Sequence, residues 1–211
     1  MSSGSALSAV KAKRKSGATK QAPRPGNRQQ ELLDAAAQLF SQRGYEGMSM
    51  RELATAVGML HGSIYYHFPS KDDLFLTVYE EANRRSKQHF AEALEGIADP
   101  WDRLEAACVA HVEAILQENS YALVVRQLVM PQSEELRRRI IELRDKHEDL
   151  FRKLIDDLPL PNSVNRKYLR LGLLGALSHT QVWYKSGGDP PKTIARRFLR
   201  LFGRPEKESQ K

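Results

Sequence analysis

The stretch SMRELATAVGMLHGSIYYHFPSK, residues Ser49 to Lys71, decides the fold. Ser49 followed by Glu52 forms a capping box and opens a helix at Met50. Leu53, Ala54 and Val57 give that helix an apolar face, and Gly58 ends it because glycine accepts a left-handed backbone. After a turn at Met59 and Leu60, the spacing predicts a second helix from His61 to Phe68, with Ile64 and Phe68 inward. His61, Ser63, Tyr66 and His67 fall on its other faces, and Tyr65 flanks the core. Pro69 stops the helix, and Ser70 to Asp73 starts the next. Two short helices joined by a tight turn make a helix-turn-helix, whose second helix is built to lie in a DNA major groove.

The residue types agree with that partner. Ser, Tyr and His donate to phosphates and base edges, and tyrosine rings pack on sugars or thymine methyls. Gly62 lets the backbone approach a neighbour or a phosphate, and Lys71 lies at a helix start, where free N–H groups favour an anion. The candidate DNA-contacting set is therefore Ser49, Arg51, His61, Gly62, Ser63, Tyr65, Tyr66, His67 and Lys71. The alternative is a helical hairpin inside a larger α-domain, with tyrosines merely half-buried.

The net charge of +7 favours an acidic partner, but its location matters. Lys11, Lys13, Arg14, Lys15, Lys20 and Arg24 precede the first acidic residue, Glu31, and so carry nearly all of it. Between residues 28 and 75, acids outnumber bases. A strongly salt-dependent attraction to DNA must lean on the leader. Cys108 is the only cysteine, which excludes an intrachain disulfide and fits a reducing cytoplasm. No apolar run reaches membrane-spanning length and no secretory signal is expected. The predicted location is the bacterial cytoplasm, nucleoid-associated when bound to DNA.

Along the chain, residues 1–26 are rich in Ser, Ala, Lys, Gly and Pro, and are expected to be a disordered basic leader. Such a leader either solubilises or follows the DNA backbone as an arm. Asn27 is expected to cap the first helix, with Gln30 answering it, and Gly44 to close it. From Asp72 a helix runs to about Ile97, spanning roughly 35 Å at about 1.5 Å per residue. Asp99-Pro100 restarts the chain, Tyr121 to Met130 forms a short apolar segment, and Ser133 caps a long helix to Asp157. Helices from Val164 to Lys185 and from Pro190-Pro191 to Phe202 complete an all-α fold of about nine helices. The expected domains are the helix-turn-helix unit at 27–87, a C-terminal effector-binding and dimerisation domain at 88–203, and a flexible tail at 204–211.

Two features carry chemistry in the C-terminal part. Leu171, Gly172, Gly175, Ala176 and His179 form a small-residue stripe, and Ile194, Phe198, Leu201 and Phe202 follow on the last helix. Two such helices meeting a symmetric copy make a four-helix bundle; ordinary internal packing is the alternative. Elsewhere, His111, Arg126, His147, His179 and Trp183 interrupt or flank apolar stripes. Together they point to a large, mostly apolar ligand pocket between helices, although each alone also fits a satisfied core or rim position. No HExxH, phosphate loop, GxSxG or cysteine-based metal spacing occurs, so no enzyme, cofactor or metal is expected. A His111–His147 chelate is the one metal alternative.

The run from Arg28 to Lys71 resembles the DNA-binding domain of the TetR family of one-component bacterial regulators. The matching residues are Ala35 to Phe40, Gly44-Tyr45, Ser49, Leu53, Ala54, Gly58, Gly62, Ile64-Tyr65, His67-Phe68 and Ser70-Lys71. The family often has Ser where this chain has Leu60, which cannot cap the second helix. The resemblance implies a homodimer through the last two helices and a palindromic double-stranded operator. It also implies a connecting helix below the reader and a small-molecule effector that releases a repressor. Trp183-Tyr184-Lys185-Ser186-Gly187-Gly188 resembles a turn in TetR-like regulators of lipid and acyl-CoA catabolism, which points to an acyl-CoA or another hydrophobic carboxylate. An activator or architectural DNA binder without a small ligand is the competing expectation.

Overall fold

The computed structural model describes residues 25–117, 119–126 and 133–204, with side chains from Arg28 onward. Most of the basic leader, the end of the apolar segment after Arg126, and most of the tail lie outside these residues. Among the described residues the chain forms nine helices and no strand. They are α1 (Pro25–Gly47), α2 (Met50–Ala56), α3 (His61–His67), α4 (Lys71–Leu94) and α5 (Pro100–Leu116), then α6 (Ser120–Arg126), α7 (Glu134–Asp156), α8 (Arg166–Trp183) and α9 (Pro191–Leu201).

Local chemistry sets most boundaries. Ser70, Asp99, Ser133 and Asn165 each accept a hydrogen bond from a first-turn backbone N–H of α4, α5, α7 and α8. One start differs from expectation. Asn27 does not cap α1; the helix already begins at Pro25, whose fixed φ and missing N–H suit a first helical position. At the other end Gly44, with φ 71° and ψ 176°, breaks the helical path before Tyr45.

Two apolar cores divide the molecule, and α4 crosses both. The first joins α1 to α4 and draws in Tyr121 and Val124 of α6 with Leu136 and Ile140 of α7. The second surrounds Phe90, Cys108, Phe151, Leu173 and Leu199. The expected division at residue 87 therefore falls inside one continuous helix. Fully buried side chains such as Phe40, Leu53 and Ile64 each contribute about 1.5–3 kcal/mol, enough to hold the short α2 and α3, which would not persist alone.

Candidate functional site

The reader is built from α2, α3 and their turn. Ser49 Oγ accepts from Glu52 N at 3.2 Å while Ser49 N donates to Glu52 Oε2 at 3.0 Å, closing the capping box. Gly58, at φ 63°, turns the chain, and Met59 N donates to Ala54 O at 2.9 Å. Leu60 precedes α3 without a side-chain cap and is 81% exposed. Ile64 and Phe68 are buried and clamp α3 onto the first core. The opposite side is open: Tyr66 is 89% exposed, and His61, Gly62 and Tyr65 are also exposed, with Ser63 and His67 half-buried. His61 stands edge-on to Tyr65, with ring centroids 5.1 Å apart, so the two rings brace each other. A Cβ at Gly62 would meet nothing within 4 Å, so no internal neighbour needs glycine there.

The cations of this unit are largely engaged within it. Arg43 pairs with Glu52, and Arg28 bonds Glu31 and donates to Val57 O at 3.0 Å. Arg51 is exposed and has no ion pair among the described residues. Lys71 Nζ lies 4.4 Å from the Tyr45 ring centroid and donates to Glu46 O at 3.4 Å. Tyr45 in turn donates to Asp72, and burial together with that carboxylate pushes the phenol pKa up. The start of α4 is thus fastened to the exit of α1, with Lys71 half-buried yet still holding donors to offer an anion.

A second feature lies between α4 and α7. A cleft of about 1050 Å³ is floored by Phe90, Leu94, Leu143 and Leu150, with Lys87, Lys146 and Lys153 at its edges. His147 lines it, and behind His147 sits His111, buried on α5. His147 Nε2 is 3.2 Å from His111 Nδ1, and His111 Nε2 is 3.1 Å from Ser178 Oγ on α8. Phe90 and Phe151 stand against these rings at centroid distances of 5.1 to 5.6 Å. Burial, with His147 adding a smaller effect, depresses the His111 pKa to about 3; burial also lowers that of His147.

Of the five expected pocket residues, the structure brings together only His111 and His147. Arg126 is exposed and donates to Ile115 O at 3.2 Å, and it does not line the cleft. His179 and Trp183 lie on the exposed side of α8, and neither lines the cleft. That helix turns Leu173, Leu177 and Thr180 inward, which rotates His179 and Trp183 away from the interior. Sequence reasoning missed Ser178, since a serine beside His179 gives no periodic signal. It also missed the three cleft lysines, which read as an ordinary solvated face. The two histidine nitrogens face each other, and no group of three or more His, Cys, Asp or Glu among the described residues gathers to hold a metal ion.

Residues 32–78 match the family model described as bacterial regulatory proteins, tetR family. Residues 98–204 match that of the tetracyclin repressor-like C-terminal domain. The chain belongs to the TetR family. As a member it is a DNA-binding transcriptional regulator and not an enzyme. It is 26% identical over 171 residues to the HTH-type transcriptional repressor KstR2 of Mycobacterium tuberculosis, covering 77% of this chain and 84% of that protein. The TetR-family regulator PfmR of Thermus thermophilus superposes with a TM-score of 0.65 at 28% identity, covering 81% of this chain and 96% of PfmR. AibR, solved with isovaleryl coenzyme A and operator DNA, superposes with a TM-score of 0.71 at 22% identity, covering 82% and 97%; that likeness is one of fold. No described helix is long and apolar enough to cross a membrane.

Proposed function

We propose that this TetR-family chain is a cytoplasmic homodimeric repressor, released from a palindromic operator by a small amphipathic effector. The observation that carries the reading is α3 itself: Ile64 is fully buried on one side while Tyr66 is 89% exposed on the other. A tyrosine so exposed contributes little to folding, and its placement fits a groove-facing helix. Ser49, Arg51 and Lys71 would hold phosphates, while His61, Gly62, Ser63, Tyr65, Tyr66 and His67 would face the groove. Residues 27–87 would form the DNA-binding unit and residues 88–203 the effector and dimer unit, coupled through α4.

Dimerisation through α8 and α9 is supported by an apolar face that the protomer leaves uncovered. It includes Leu171, Val182 at 67% exposure and Leu201 at 80%. The α4–α7 cleft would take the effector, an acyl-CoA or another hydrophobic carboxylate. The apolar floor and lysine edges fit such a molecule, and AibR has been seen with isovaleryl coenzyme A. A ligand that binds one spacing of the readers better than the other shifts the population without further machinery.

A gel shift on DNA flanking the gene, titrated with acyl-CoAs, tests this reading. A retarded complex that dissolves on addition supports it. A complex insensitive to every acyl-CoA and fatty acid favours an architectural binder.

A further inference from the structure

The His147–His111–Ser178 chain, on three different helices, is more elaborate than packing requires. Both nitrogens of His111 are used, by His147 Nε2 at 3.2 Å and by Ser178 Oγ at 3.1 Å. His147 Nδ1 has no partner among the described residues, and His147 borders the cleft. We infer that the effector brings an uncharged hydrogen-bonding oxygen to His147 and an anionic group to the lysine-bearing edge, as an acyl thioester does and a free fatty acid does not. This rests on the effector role proposed for the cleft.

Two neutral proton arrangements of the chain are possible. In the first, Ser178 donates to His111 Nε2 and His111 Nδ1–H donates to His147 Nε2, leaving His147 Nδ1–H as a donor toward the cleft. In the second, His147 Nε2–H donates to His111 Nδ1 and His111 Nε2–H donates to Ser178, leaving His147 Nδ1 as an acceptor. The chain can therefore satisfy a carbonyl or a hydroxyl without acquiring charge. A carboxylate there would find at most one neutral N–H; the counter-charge it lacks would require an imidazolium, which the walls of Phe90 and Phe151 disfavour, and burial holds His111 far below its ordinary pKa. A carboxylate at this depth would lose its water without gaining a counter-charge.

The edge has the opposite character. Lys87 on α4 and Lys146 and Lys153 on α7 line the cleft, and none has an ion pair among the described residues; the lining also holds Glu92 and Glu95, with Glu80 and Asp149, which pair with Arg139 and Arg152. An anionic head group left at the mouth would find them. A carbonyl at the inner end and phosphates at the outer end, joined by an apolar body, describe one amphipathic molecule.

Three matched probes test the inference on the full chain by isothermal titration: octanoyl-CoA, its thioether S-octyl-CoA, which lacks only the carbonyl, and octanoate. Octanoyl-CoA should bind about five- to tenfold tighter than the thioether, the effect of one neutral hydrogen bond to a buried group. Octanoate should bind more weakly than either conjugate. His147→Phe should bring octanoyl-CoA down to the thioether's affinity and leave the thioether unchanged. Equal affinity of thioester and thioether, or octanoate binding as tightly as octanoyl-CoA, overturns the inference while leaving the cleft an effector site. No binding by any of the three removes the acyl effector reading itself, and the inference with it.

Discussion

Tyr121 on α6 donates its hydroxyl to Asp34 on α1 at 2.8 Å, joining the C-terminal part of the chain to the helix that supports the reader. The Arg85 guanidinium lies 4.0 Å from the Tyr121 ring centroid, and Arg85 Nε donates to Glu81 at 2.7 Å. Glu81 also holds Arg84, which lines the cleft. A continuous polar path therefore runs from the cleft along α4 to α1. Tyr121→Phe should lower unfolding free energy by about 1 kcal/mol in urea titrations. It should also reduce the factor by which effector weakens operator binding. An unchanged coupling factor would mean that the signal travels elsewhere.

Leu60 offers a test in the stabilising direction. It precedes α3 without a side-chain cap and is almost fully exposed, so replacing it sacrifices little burial. Leu60→Ser should raise stability by about 1 kcal/mol by supplying the missing acceptor, and should tighten operator binding by ordering α3 in advance. Chemical denaturation and a gel shift measure the two effects. A less stable Leu60→Ser protein would show that Leu60 packs on a surface that matters.

Stability should fall in mild acid. The His111 pKa lies near 3 in the folded chain against an ordinary 6.5, and that of His147 is also lowered by burial. Below about pH 6.5 the unfolded chain therefore binds more protons. The stabilisation is complete above that pH and is lost as pH falls toward the folded value, at up to about 1.4 kcal/mol per pH unit for His111, with His147 acting in the same direction. Glu81, held down to about 2 mainly by its hydrogen bond from Arg84, adds its own loss only below about 4.5. Urea unfolding between about pH 6.5 and 4.5 thus isolates the histidines. His111→Gln should flatten the slope.

Two glycines on α8 should respond in opposite ways. A Cβ at Gly172 would sit 3.0 Å from Phe202 Cε1, whereas one at Gly175 would meet nothing within 4 Å. Gly172→Ala should therefore strain the α8–α9 contact and lower the melting temperature of the protomer. Gly175→Arg should leave the protomer intact, aided by the better helix propensity of arginine, and disrupt dimerisation. Sedimentation should give a species near 24.0 kDa for Gly175→Arg and about twice that for the parent. A parent already monomeric would refute the proposed α8–α9 interface.

Legibility in the sequence followed the range of the interaction. Ser49 with Glu52, Ser70, Asp99-Pro100 and Ser133 act on N–H groups within a turn of themselves, so the helix starts they dictate could be read directly. Pro25 outweighed Asn27 at the start of α1, a local contest decided by backbone geometry. The place of His179 and Trp183 outside the cleft was not legible, because α8 has apolar residues on both sides, Leu173 and Leu177 inward and Leu171 and Val182 outward. Periodicity cannot tell a core stripe from an uncovered one. The Tyr121–Asp34 bond and the place of Ser178 beside His111 arise only when distant helices meet.

DNase footprinting of the DNA flanking the gene, with Tyr66→Ala beside the parent, tests the central claim most directly. Paired readers should protect two half-sites of a palindrome centred about 34–36 Å apart, and Tyr66→Ala should abolish protection without lowering the melting temperature. Protection that survives Tyr66→Ala, or that covers a single unpaired site, would contradict a homodimer reading DNA through α3.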